Sequence, residues 1–339
     1  MLRTRRYPRT LTLALMLVAL IASSAGAQAP AEALKLSVSV GQALPLGRAA
    51  ARWAERLVAD GIPVNVHPGA ALAQRDPSRE FIALRDGAAD LALGSALAWA
   101  TQVPGLGVYG LPWIAGDPAE LRALVAHPNV QRAIIAQADA RGVIVLAFAP
   151  IGYRDIAVRN GPRGAPDDLR DLRLRVAAYP MLLDLYAALG VRYQSLGFAQ
   201  AQGALSGGQL DGEEGLASTL ANARLGALGL KYLLHWGGVA DVALYAVRRP
   251  VWDRWTQQQR DKALADAQQI AREVDLVNEE ENALVELRRQ GMTVQRLSAA
   301  QHDAFRAAAT PVVEKWRAAI GDALVKEALD VVAASRASK

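Results

Sequence analysis

Along most of this chain, short apolar runs alternate with longer amphipathic ones, and that order constrains the fold more than any single motif. "LKLSVSV" at residues 34–40 has the period-two pattern of a strand. "ALPLGRAAARWAERLVADG" then reads as a helix stopped by Gly61, and "PVNVHPG" as a second short strand. "SREFIALRDGAADLALGS" gives a helix, a turn near Asp86-Gly87 and a buried strand through Leu91 and Leu93. A helix is predicted over Pro118–Ala140, followed by the strongly apolar strand "GVIVLAFAP". Such alternation predicts an α/β fold with mainly parallel sheets.

From residue 151 the pattern restarts. "YRDIAVRN", "RLRVA" and "VRYQSL" read as strands, "YPMLLDLYAALG" and "FAQAQGALSGGQLDG" as helices, and "VADVALYAVRR" as a long strand. This predicts a second α/β lobe, with the chain returning to the first around residues 240–250. Trp252, Trp255, Ile270, Val274, Val277, Leu284 and Leu287 then fall near a helical period, with Gly291 just beyond. A single helix of about 38 residues there would be about 57 Å long, enough to lie across both lobes. Further helices are expected up to the C-terminus.

The first residues are an export signal by their chemistry. "MLRTRRYPRT" carries Arg3, Arg5, Arg6 and Arg9 and no acid; "LTLALMLVALIA" is too short to span a bilayer comfortably; Ala25-Gly26-Ala27 is a small-x-small cleavage site. A signal peptide over 1–27 is expected, with a retained membrane anchor as the alternative. Its removal takes away four arginines, and the formal charge falls from +5 to +1. Basicity is therefore no argument for nucleic acid. With 52% hydrophobic and 21% charged residues the chain is not of disordered composition. There is no cysteine, so disulfides, thiolate nucleophiles and zinc–thiolate sites are excluded.

Several motifs tempt. "GLGVYG" at 105–110 has G-x-G-x-x-G spacing, but Pro104 precedes it and Leu111-Pro112 follow, where a dinucleotide fold needs a strand and a helix. "DGEEG" at 211–215 groups Asp211, Glu213 and Glu214 without the alternate spacing of a Ca²⁺ loop. It reads either as a solvated helix-to-strand turn or as part of a ligand site. His67, His127, His235 and His302 show no metal-ligand spacing, and no serine lies in a G-x-S-x-G elbow. An enzyme thus lacks a visible nucleophile–base pair.

The arginines remain. In "DLRDLRLRVAAYP", 168–180, Leu172, Leu174 and Val176 share one face of a strand, and Arg173 and Arg175 share the other. Arg173 reads as an exposed charge. Arg175 lies next to Val176 and before the small residues of "AAYP", which leave room beside it. A guanidinium stays charged and matches a carboxylate with two parallel donors.

The chain resembles the DctP-type solute receptors of TRAP (tripartite ATP-independent periplasmic) transporters over nearly all of its predicted mature length. "APDDLRDLRLRV" is similar to that family's P-x-DL-x-GLKIRV. "YAALGVRYQSLGFAQAQGALSGGQLDGEEG" is similar to the segment that ends VDGQEN, and "RDGAADLALGSALAWATQVPGLGVYGLPWI" and "LYAVRRPVWDRW" resemble flanking motifs. The resemblance implies a two-lobed periplasmic binding protein with a hinge and a long helix spanning both lobes. Residues 28–151 plus 241–275 would form lobe 1, and 152–240 plus 276–335 lobe 2. It implies that Arg175 fixes a ligand carboxylate and Arg154 assists. Where the family often has asparagine this chain has Gly215, which lacks a side-chain donor; Glu214 stands where some relatives hold a bridging cation.

Tyr153, Tyr179, Trp99 and Trp236 are candidate cleft walls, and Ser95 and Gln42 candidate hydrogen-bond donors. The implied function is a receptor that closes on a small organic acid and delivers it to membrane permease subunits. No cofactor, metal or nucleic acid is expected. A monomer is expected, with a dimer as the alternative. Rival readings are a receptor feeding a sensor protein and a hydrolase on a similar fold.

Overall fold

The computed structural model describes residues 32–196 and 198–338. The signal peptide expected over 1–27 lies outside the described residues. No helix among them is long and apolar enough to cross a membrane.

Among the described residues nine strands form the sheet: β1 (Leu34–Val38), β2 (Val64–His67), β3 (Leu91–Ser95), β4 (Val143–Val158), β5 (Arg173–Arg175), β6 (Arg192–Gln194), β7 (Gly212–Leu216), β8 (Tyr232–Arg248) and β9 (Thr293–Arg296). Their order is β2-β1-β3-β8-β4-β7-β5-β6, with β9 on β8. The long antiparallel pair β4·β8 is the spine. At one end β3 pairs with β8 over residues 243–247; at the other, β9 pairs with β8 over 232–235 and β7 pairs with β4 over 154–158. Two half-sheets therefore share two continuous strands. Register shifts at Pro150/Gly152 and Arg154/Ile156 mark the crossing. Such irregularities bend a strand and re-aim its side chains, and Gly152 there has φ +139°.

The helices are α1 (Pro45–Ala59), α2 (Glu80–Asp86), α3 (Ala96–Trp99), α4 (Gly107–Gly110), α5 (Pro118–Ala126), α6 (Pro128–Asp139), α7 (Pro180–Ala188), α8 (Phe198–Ser206), α9 (Ala217–Asn222), α10 (Arg249–Arg254), α11 (Gln257–Glu273), α12 (Leu276–Arg289), α13 (Ala299–Ile320) and α14 (Asp322–Ala337). β8 is buried over nearly its whole length, as its almost unbroken apolar run requires for a strand covered on both faces. Trp53 of α1 meets Tyr245 of β8 edge-on at 5.1 Å on one face. Trp236 lies among Trp113, Tyr186 and Phe305, 5.4–5.9 Å away, in the larger core.

Four expectations are corrected. The predicted 38-residue helix is three helices. Thr256 caps α11 with its hydroxyl and Gln259 reaches back to it; Asp275 caps α12 by accepting from the Asn278 N–H, so local capping outweighs the continuous apolar period. The pieces still reach from α1 to β9. The helix predicted over 118–140 breaks at His127, because Pro128 disfavours helical geometry in the residue before it. The strands predicted on either side of residue 151 are one strand, β4. The sheet is mixed, since its two longest strands are antiparallel.

Gly94 of β3 shows how tightly α3 returns on the sheet. A Cβ there would overlap the Trp99 ring. Gly94→Ala is expected to cost about 1–3 kcal/mol, the range for overpacking a filled core, read as a lower urea midpoint at unchanged m-value.

The candidate ligand site at the strand crossing

A connected set of buried charges occupies the crossing of β4 and β8. Arg154 donates from Nε and Nη2 to the two oxygens of Glu214, at 2.8 and 2.9 Å. The β4·β7 register explains the meeting: Glu214 lies opposite Ile156, so Arg154 and Glu214 are diagonal neighbours on one face. Glu214 also accepts from the Ala177 N–H at 2.7 Å, just beyond β5. Burial pushes its carboxyl up, but Arg154, Arg175 and that amide outweigh burial and hold it below the usual range. Burial likewise opposes the Arg154 charge, and Glu214 and Asp241 overcome it.

Asp241 enters from β8, 3.9 Å from Arg154 Nη1. It accepts from the Ser95 hydroxyl at 2.7 Å and from the N–H groups of Leu97 and Val242. Burial raises its carboxyl despite those partners. The network thus links the end of β3, both spine strands, β7 and the end of β5. The Tyr179 ring lies under the Arg154 guanidinium, 5.4 Å from Cζ to centroid, a cation–π contact.

Arg175 is next door and differently held. It ends β5 opposite Glu213 of β7, with Nη1 3.3 Å from that carboxylate, and Nε donates to the Leu196 carbonyl at 3.2 Å. Successive strand residues face opposite sides, so Glu213 serves Arg175 and Glu214 serves Arg154. The Arg175 side chain keeps 19% of its exposure, against 8% for Arg154. Burial pushes the Glu213 carboxyl up against the pull of Arg175. The turn reading of "DGEEG" is corrected: both glutamates are buried strand residues.

The structure brings Arg154, Glu214, Tyr179 and Arg175 together, with Ser95 joined through Asp241. Ser95 has no hydroxyl proton to spare: it donates to Asp241 and accepts from the Ala98 N–H as the cap of α3. Trp236 and Trp99 are core residues with no exposed surface rather than open walls; Trp236 donates from Nε1 to the Arg154 carbonyl, and Trp99 packs edge-on against Phe81. Tyr153 is buried and donates to the Ala115 carbonyl. Gly215 lies in β7 opposite Asp155, facing Leu220. Gln42 is exposed in the loop after β1, with no hydrogen bond among the described residues.

Sequence reasoning missed Asp241, Glu213 as a partner, and Glu80. A lone acid inside the apolar run "VADVALYAV" was the available signal for Asp241. Glu80, fully buried on α2, accepts from the Ser37 hydroxyl at 2.8 Å, while its second oxygen has no partner among the described residues. Burial lifts its carboxyl to about 8, against the Ser37 hydrogen bond. It lies within electrostatic reach of Tyr179. No group of histidines and acids fit to hold a metal occurs among the described residues.

Comparison with known proteins matches this geometry to a family. Residues 36–319 match the model of the bacterial extracellular solute-binding proteins, family 7 (DctP). The C4-dicarboxylate-binding periplasmic protein DctP of Rhodobacter capsulatus is 27% identical over 296 residues, 85% of this chain and 87% of that one. A TRAP periplasmic solute-binding protein of Ralstonia eutropha H16, solved with bound (S)-2-hydroxy-2-methyl-3-oxobutanoate, superposes with a TM-score of 0.83 at 32% identity, covering 88% of this chain and 98% of that one. One from Bordetella bronchispeptica, its ligand density assigned to pantoate, gives 0.76 at 25% identity over 88% and 99%. The mixed sheet with its two shared strands is thus the two-lobed architecture of these receptors. The chain belongs to the family 7 extracellular solute-binding proteins, the DctP receptors of TRAP transporters, which bind small acids and are not enzymes.

Proposed function

We propose that this protein is a periplasmic receptor for a short 2-hydroxy monocarboxylate, held between its lobes by Arg175 and delivered to TRAP permease subunits. In this reading an N-terminal signal over 1–27 exports the chain. The lobes are 28–151 plus 241–275 and 152–240 plus 276–335, hinged where β4 and β8 cross.

The observation that carries the reading is the unequal commitment of the two arginines. Arg154 spends its fork on Glu214 and stands beside Asp241, both buried. Arg175 has one longer ion pair and one carbonyl, so it keeps donors for an incoming carboxylate. One available guanidinium suits one carboxylate; a second carboxylate would meet Glu213, Glu214 and Asp241, with Arg154 already committed to Glu214. The Ralstonia relative's ligand has that form, a single carboxylate with a 2-hydroxyl. Tyr179 and Tyr153 would border the ligand, and Arg154 would position Glu214 and the strand crossing rather than touch it. Contacts made only in the closed form would stabilise closure.

The test is calorimetric titration of the mature chain with 2-hydroxy-2-methylbutanoate and with succinate. The hydroxy acid is expected to bind more tightly. Arg175→Ala is expected to weaken it by about 100-fold or more, roughly 3 kcal/mol, the scale for deleting one partner of a buried ion pair. Arg173→Ala, on an exposed pair with Asp211, is expected to leave it unchanged. Preference for succinate, or near-normal affinity in Arg175→Ala, overturns the reading.

A further inference from the structure

Away from the crossing, β4 has an open side. β8 pairs with it along its whole length, but β7 begins to pair on the other side only at Arg154. From Val143 to Gly152 no strand among the described residues occupies that side, so alternate main-chain N–H and C=O groups point outward. No side chain hydrogen-bonds to the main chain of Val145–Pro150 among the described residues.

Beside this edge runs a groove of about 550 Å³, between α5 and α6 on one flank and α11 and the start of α12 on the other. That volume lies in the range of small-ligand sites. Val145, Phe148 and Pro150 line it from β4, with Val125, Ile135 and Leu264 from the helices. Arg272 and Gln268, four residues apart on α11, also line it, and neither side chain has a hydrogen bond or ion pair among the described residues. Arg122, by contrast, is held by Asp275 at 2.9 Å.

We propose that this groove docks the carboxyl-terminal tail of a partner protein, added in extended form to the free edge of β4 with its terminal carboxylate on Arg272. Main-chain pairing gives such a segment affinity, and its alternate side chains fill the apolar walls. An acyl carboxylate would meet the same cation and walls but leave the strand's polar groups unpaired, which is penalised once water is excluded. The register shifts at Val145/Ala147 and Pro150/Gly152 bracket the usable edge, so the added strand is short, about four residues. The groove is separate from the Arg154 network and does not depend on the receptor reading.

The test titrates the isotope-labelled mature chain with acetyl-Thr-Val-Thr-Leu bearing a free terminal carboxylate, followed by amide chemical shifts. Saturable binding is expected, with a Kd below about 1 mM and shifts confined to β4, α5, α6, α11 and the start of α12. Arg272→Glu, on the surface, is expected to weaken it at least fivefold. Ala271→Phe, which fills the groove, is expected to abolish it, and Arg175→Ala to leave it unchanged. The same peptide with every backbone amide methylated is expected not to bind. Absence of saturation, equal binding of the methylated peptide, equal binding of octanoate, unchanged affinity in Arg272→Glu, or loss in Arg175→Ala would each overturn the proposal.

Discussion

Arg154→Met is expected to destabilise the protein by about 3–5 kcal/mol, the range for breaking a buried ion pair by removing one partner. Glu214 has no exposed surface and is tied by both oxygens to this guanidinium. Asp241, 3.9 Å away, is almost as deep. Methionine fills similar space but removes the guanidinium, leaving Glu214 with the Ala177 N–H and the neighbouring Arg175, and Asp241 with its neutral donors, so burial outweighs what remains. In the wild type the Glu214 carboxyl is depressed on folding. Its contribution is therefore present above the unfolded carboxylate value and is lost as pH falls through the lower folded one. In Arg154→Met the sign reverses: the carboxyl becomes raised, and stability falls as pH rises from about 4.5. Urea denaturation at pH 3, pH 5 and pH 8 checks both statements, the first interval for the wild type and the second for the variant. The double variant Arg154→Met/Glu214→Leu is expected to recover part of the loss, since it removes the stranded charge as well. A single-variant loss below about 1 kcal/mol would show that the network carries no such weight.

This network also marks the limit of what the sequence discloses. The strand and helix alternation was legible, because periods of 2.0 and 3.6 follow from local geometry. The family motif around Arg175 was legible as well, and β5 and β7 lie where it puts them. Helix breaks at His127 and at Val274-Asp275 were not, because a cap or a following proline overrides a continuing apolar stripe at modest local cost. The charge pairing was illegible for a different reason. Arg154 and Glu214 are 60 residues apart and meet only through the β4·β7 register, which no local pattern encodes. Ser95 looked free because its partner, Asp241, arrives from a strand 146 residues later. Trp99 and Trp236 were read as walls, yet both complete cores, since large aromatic rings offer more apolar contact there than at a solvent-facing rim.

Glu80→Gln is expected to stabilise the protein, increasingly as pH rises. Glu80 is fully buried, its carboxyl is lifted to about 8 from an ordinary value of 4.5, and its partner is the neutral hydroxyl of Ser37. The folded state therefore keeps a proton that the unfolded chain gives up. Stability contributed by the protonated group is whole below about 4.5 and is lost progressively up to about 8, above which both states are ionised. Over that window the cost approaches about 4 kcal/mol at full burial. Glutamine keeps the shape and an oxygen to accept from Ser37, but has no proton to lose. Melting temperatures of the two proteins should thus coincide near pH 4.5 and separate steadily toward pH 8, with the variant higher. Parallel curves across that range would show that Glu80 ionises normally and that water reaches its second oxygen. A variant less stable at every pH would mean that its amide finds no acceptor beside Ser37, so that the site requires a carboxyl and not merely its shape.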